Sequence, residues 1–133
     1  MLTRILILSG SQEHQNELSR VITKLGCVPV RSETLSDAKD LVRQLEIEGI
    51  VCDEVLPDGS FRALIRELRK SACQTPVVVV SQSDDWGSYL EAMVAGAFDV
   101  VVYPPYPRDL ERVVSAALAE SRSNREAMAR TAA

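Results

Sequence analysis

Short, wholly apolar runs alternate along this chain with longer stretches in which apolar residues recur every third or fourth position. Ile5–Leu8 is apolar throughout and stops at Ser9-Gly10-Ser11, the pattern of a strand covered on both faces. Leu18, Val21, Ile22 and Leu25 then fall at i, i+3, i+4 and i+7, one helical stripe closed by Gly26. Val28–Val30 reads as a short second strand, with a Pro29 that is tolerable near an edge. Thr34-Leu35-Ser36-Asp37 supplies helix-start chemistry for a second stripe through Leu35, Ala38, Leu41, Val42 and Leu45. Ile50-Val51-Cys52 is a third strand ending at Asp53, and Leu56-Pro57-Asp58-Gly59 is a loop. Phe61, Leu64, Ile65 and Leu68 mark a third helix. Val77–Val80, β-branched without alternation, is a central parallel strand. Ser81–Asp85 is polar enough to cap a fourth helix, which carries Met93 and Val94 on its expected inner face and ends at Gly96. Val100–Val102 is a fifth strand, broken by Pro104-Pro105-Tyr106-Pro107, and Leu110, Val113, Val114, Ala117 and Leu118 give the last helix.

Strict strand–helix alternation calls for right-handed crossovers and a parallel sheet with helices on both faces. The expected fold is therefore α/β, a doubly wound parallel sheet of five strands with five helices. Residues 1–121 form the expected domain, and 122–133 are an extension of the last helix or a disordered tail.

Composition narrows the function. A chain of 133 residues, 46% hydrophobic and 26% charged, folds as one domain without a disulfide or metal staple. The net charge of −4 argues against a general grip on nucleic acid. Cys27, Cys52 and Cys73 are odd in number and lack a C-x-x-C spacing, so they read as buried small hydrophobes. His14, the single histidine, reads as a helix-surface residue. The amino terminus holds only a four-residue apolar run, short of a signal peptide or a span, so neither membrane insertion nor export is expected and the chain is placed in the cytoplasm. Only three of the fifteen basic residues are lysines: Lys24, Lys39 and Lys70.

In an open α/β sheet the working site lies beyond the carboxyl ends of the strands. Ser9-Gly10-Ser11, Asp53-Glu54, Ser81-Gln82 and Tyr103-Pro104 stand at those ends. Here Ile50–Gly59 resembles the phosphoacceptor strand and loop of response-regulator receiver domains, with an Asp closing the third strand and a Pro four positions on. Pro76–Ser81 is similar to the family's fourth strand, which ends in Ser or Thr. Gly96-Ala97-Phe98-Asp99 running through Val100–Val102 to Tyr103-Pro104 resembles the segment that leads into the family's Lys-Pro. The resemblance spans about residues 3–121 in the right order, and it implies a flavodoxin-like sheet with the strand order 2-1-3-4-5.

That resemblance implies a single-domain signalling module of a two-component phosphorelay, not an enzyme. Asp53 stands at the phosphoacceptor position and Ser81 at the switch hydroxyl. Several positions depart from the pattern. Ser9 and Gly10 stand where the family has two acidic residues, Tyr103 where it has Lys, and Val100 at the aromatic switch position. In the family the acid pair helps hold a magnesium ion, a hard cation that prefers oxygen ligands. Magnesium binding is therefore expected to be weak or absent, with no other cofactor. None of the three lysines, all on the first three helices, stands at the family's position. At an effective dielectric near 20, one contact between unit charges at about 4 Å is worth about 4 kcal/mol. Losing it would slow transfer by on the order of 10² to 10³. The expectation is a degenerate acceptor site, weakly or not phosphorylated, with Glu13, Glu54 and Asp58 as the nearest carboxylates a rearranged loop could recruit and Arg108 as the nearest cation.

Two readings of Asp53 stay open: a phosphoacceptor, or a retained carboxylate hydrogen-bonded to Ser81 and the Tyr103 hydroxyl. Ser81 is equally readable as a cap for the fourth helix. With about a dozen residues after the fold, output is expected through binding to a histidine kinase or a downstream protein. The resemblance places the contact face on helix four, strand five and helix five, with Tyr89, Met93, Tyr103 and Arg112, and allows a homodimer there. Trp86 and Tyr89 are candidates for a partner patch, and Arg122, Arg125 and Arg130 read as a solvated helix face. The alternative is a small flavodoxin-like cofactor binder using Ser9-Gly10-Ser11-Gln12 at a helix start. A phospho-aspartate hydrolase is disfavoured, because the position two after Asp53 is Val55.

Overall fold

The computed structural model describes residues 2–132. In chain order its elements are β1 (Arg4–Leu8), α1 (Gln12–Lys24), β2 (Val28–Ser32), α2 (Leu35–Gln44), β3 (Gly49–Asp53), β4 (Val55–Leu56), β5 (Gly59–Ser60), α3 (Phe61–Lys70), β6 (Val77–Ser81), α4 (Trp86–Ala95), β7 (Asp99–Val102) and α5 (Pro107–Ala132). The main sheet is parallel, in the order β2-β1-β3-β6-β7. This is the expected 2-1-3-4-5 order, because β6 and β7 are the fourth and fifth main strands. A two-stranded antiparallel β4–β5 ribbon occupies what the sequence presents as a plain loop. Strands of two residues are too short to show any periodicity.

The strand pleat divides the core in two. Ile5, Ile7, Val51, Val78, Val80 and Val101 pack under α1 and α5, against Leu18, Ile22, Leu110, Val113 and Val114. Leu6, Leu8, Ile50, Cys52, Val77 and Val79 face α2, α3 and α4, against Leu35, Ala38, Leu64, Leu68 and Ala92. Successive side chains of one strand enter opposite layers, which is why these strands read as unbroken apolar runs. Pro29 sits in edge strand β2, where its missing N–H costs no ladder bond to a second neighbour.

Side-chain caps open three helices. Ser11, Thr34 and Asp85 accept from the backbone N–H of His14, Asp37 and Ser88. Ser81 therefore does not cap α4; Asp85 does. Gly96 closes α4 in a left-handed conformation, φ 111°, that only glycine adopts easily. Val94 departs from the expected inner face: it is 84% exposed, and Ala92 is the buried residue of α4. With Leu90, Met93 and Val94 all apolar, α4 offers no single stripe to read. Arg125 also departs from expectation. It reaches back to the buried Glu48 at 3.5 Å, while Asn124 donates to the Gln74 carbonyl, so the later part of α5 is tied to the amino-terminal edge of the sheet.

Candidate functional site

β1, β3 and β6 each carry buried apolar residues and then one buried polar residue at the carboxyl edge: Ser9 just after β1, Asp53 closing β3 and Ser81 closing β6. The register sets Asp53 beside Val80, one residue short of Ser81. Asp53 is nearly enclosed, and each of its oxygens is occupied. The Ser9 hydroxyl donates to Oδ2 at 2.5 Å. The His14 Nδ1 lies 3.0 Å from Oδ1 and 3.1 Å from Oδ2. A carboxylate accepts, so this contact is a hydrogen bond in the form of His14 that carries a proton on Nδ1. The side chains of His14 and Asp53 are only 13% and 12% exposed.

His14 is thus no surface residue, contrary to the sequence reading. It lies four positions before Leu18 and continues the stripe through Leu18, Val21, Ile22 and Leu25 by one turn. That turn projects past the end of the sheet, so the polar head of the stripe meets Asp53 instead of the core. The spacing was the available signal, and a lone polar residue at the head of an apolar stripe is easily taken for a solvated one.

Tyr103 covers one face of the His14 ring. The two rings stack with centroids 3.7 Å apart and planes at 25°. Tyr103 enters the site by its ring face; the expected hydrogen-bonded set of Asp53, Ser81 and the Tyr103 hydroxyl is not formed. Burial first, and then the carboxylates of Glu13, Glu17 and Asp53, push the Tyr103 phenol above its ordinary range, so it stays neutral. The Ser81 hydroxyl turns to its own loop, donating to the Ser83 carbonyl and accepting the Ser83 N–H. The side chain of Gln82 approaches His14 Nε2 at 3.5 Å, and its backbone N–H donates to Glu54.

The loop after β1 is fixed by Gln15, whose side-chain amide reaches the carbonyls of Ile7, Ser9 and Ser32. Gly10 leaves room for Pro57; a Cβ there would meet Pro57 Cγ at 2.9 Å. Asp58 is committed elsewhere. It accepts from the Leu35 and Ser36 backbone N–H groups at the start of α2, and these bonds, Leu35 foremost, hold its carboxyl below the usual range. Burial, with Asp53 next, pushes the Cys52 thiol far up and leaves it an inert core group.

On the neighbouring face, Tyr103, Tyr106, Asp109 and Arg112 line a groove of about 610 Å³ beside β7. Tyr89 stacks on the exposed Trp86, and Met93 is half turned into the core. Arg112 is exposed and Val100 half-buried. No helix among the described residues is long and apolar enough to cross a membrane.

The family model for response regulator receiver domains matches residues 5–115. The chain is 27% identical to the Regulator of RpoS of Escherichia coli (strain K12) over 110 residues, which is 83% of this chain and 32% of that protein. It is 37% identical to the two-component response regulator PhoP of Pseudomonas aeruginosa over 71 residues, 53% of this chain and 32% of that protein. The chain thus spans about a third of the length of these curated relatives. Among solved structures, the Francisella response regulator 1452 receiver domain superposes with a TM-score of 0.82 at 19% identity, covering 90% of this chain and 98% of that one. The beryllofluoride-activated NtrC4 receiver domain dimer superposes with a TM-score of 0.81 at 21% identity, covering 89% and 98%. These likenesses give the flavodoxin-like cofactor binder no support. Sheet order, the aspartate closing β3 and the family match agree: the chain belongs to the response-regulator receiver-domain family of two-component signalling.

Proposed function

We propose that this receiver domain signals by protein–protein contact, with Asp53 held in a degenerate site that is weakly or not phosphorylated. One observation carries the reading: both carboxylate oxygens of Asp53 are taken by Ser9 and His14 inside an almost closed pocket. Phosphoryl transfer to a carboxylate needs a free nucleophilic oxygen and neutralised phosphoryl charge. Magnesium, the ion the family implies for that neutralisation, does not fit the donor set here. It requires several oxygen ligands in octahedral geometry, and the groups bonded to Asp53 are one neutral hydroxyl and one imidazole nitrogen. Asp58 caps α2 and Glu54 holds the Gln82 N–H, so neither is free to replace the missing acids without breaking a bond. The Gly10 position is filled up to Pro57.

Output then rests on the surface. The α4–β7–α5 face, with Tyr89, Met93, Tyr103 and Arg112, is the proposed contact face for a histidine kinase, a downstream protein or a second copy. Exposed Val102 and Tyr106 add apolar area beside Arg112. Residues 1–121 are the proposed signalling unit.

Incubation with a small acyl-phosphate donor and magnesium, read by intact mass, tests the reading. The expected spectrum shows the unmodified chain. A full gain of one phosphoryl group, absent from Asp53→Asn, would overturn it.

A further inference from the structure

We infer that His14 is a positioning residue that couples Asp53 to the β7–α5 surface through the Tyr103 ring. The inference deepens the reading above and rests on it in taking Asp53 as the group the site senses; it requires no phosphorylation.

Three observations carry it. First, His14 touches both ends of the path: its Nδ1 edge bonds the Asp53 carboxylate, and its ring face stacks on Tyr103 at 3.7 Å. At that separation two nearly parallel rings are in van der Waals contact. A reorientation of the imidazole about Asp53 therefore requires the phenol to follow or the stack to break. Second, a path through the β6 hydroxyl is not made, because Ser81 bonds the Ser83 backbone in both directions. Val100, one strand-face away in β7, brings no ring to that side. Third, Tyr103 leads straight into the outer face. Its N–H donates to the Ser81 carbonyl at 2.8 Å as the last tie of β7 to the sheet. The chain then runs through Pro104 and Pro105 to Tyr106, which is 78% exposed and lines the groove with Asp109 and Arg112. A tilt of the Tyr103 ring moves the wall of that groove. The path is a continuous chain of packed and hydrogen-bonded groups from the Asp53 carboxylate to the groove, and the double substitutions below test whether it carries coupling.

The test uses the whole chain and backbone amide NMR spectra. Asp53→Asn is introduced into four backgrounds: wild type, His14→Ala, Tyr103→Leu and Tyr103→Phe. Amides of Val78–Val80 report that the core is intact. In wild type and in Tyr103→Phe, which keeps the ring, Asp53→Asn is expected to shift the amides of Val102, Tyr103, Tyr106 and Asp109. In His14→Ala and Tyr103→Leu the same substitution is expected to leave them in place. Equal shifts in His14→Ala, or no shift in wild type, would overturn the coupling. If His14→Ala fails to fold, the Leu and Phe pair at position 103 decides alone, since only the ring differs in kind between them. Phosphorylation of Asp53 by a donor would defeat the reading of the preceding subsection without touching this result.

Discussion

The interior of the sheet and its carboxyl-terminal edge are built from the same strands, yet they are held together differently. Within β1, β3 and β6 the buried residues are apolar and interchangeable in kind: Ile5–Leu8, Ile50–Cys52, Val77–Val80. Their stabilisation is non-directional and scales with area, roughly 1.5–3 kcal/mol for each large side chain fully buried. One residue further on, Ser9 and Asp53 are as buried but polar. They are tolerable only because each has a named partner at a fixed distance. The core depends on pattern, and the edge depends on identity.

Three substitutions would break or sharpen that contrast, from the largest effect down. Leu110→Ala, at a fully buried position of α5, is expected to cost about 2–5 kcal/mol in a denaturant titration. A loss near zero would mean that the layer under α1 and α5 is not close-packed. Asp53→Ala removes the hub of the edge and leaves the Ser9 hydroxyl and His14 Nδ1 without their acceptor. A loss of about 1–3 kcal/mol is expected. A gain in stability would instead mark Asp53 as a strained charge that its partners do not compensate. Asp58→Ala, at an exposed cap, is expected to have the smallest effect, and one that depends on pH. The folded carboxyl is more acidic than the unfolded one, so its contribution is present above the unfolded value and is lost as pH falls through the folded value. The wild-type and Asp58→Ala unfolding midpoints should therefore differ at neutral pH and converge in strong acid. A constant difference would show that the α2 cap does not need the charge.

The contrast also explains what could be read from the sequence. Val77–Val80, the α1 stripe and Gly96 all announce themselves locally, because each owes its character to neighbours within a turn or a strand. Five strands and the position of Asp53 follow from such local patterns, while the strand order comes only with the family resemblance. What escaped depends on pairings between distant segments. His14 looks solvated until α1 is laid across the end of β3. Arg125 looks solvated until the amino-terminal edge of the sheet brings Glu48 to it. Ser81 and Tyr103 stand at the expected ends of their strands, but hydroxyl direction and ring stacking are set by side-chain geometry that spacing does not encode. Val94 escapes for a different reason: with Leu90, Met93 and Val94 spread around α4, its apolar residues give no single phase.

Because His14 is the only histidine of the chain, its imidazole can be observed without assignment ambiguity. A long-range proton–nitrogen NMR spectrum at neutral pH reports which ring nitrogen bears the proton. Closure of Asp53 by His14 predicts that Nδ1 is protonated and that its resonance moves in Asp53→Ala. An unprotonated Nδ1, indifferent to that substitution, would contradict it and leave the Asp53 carboxylate open.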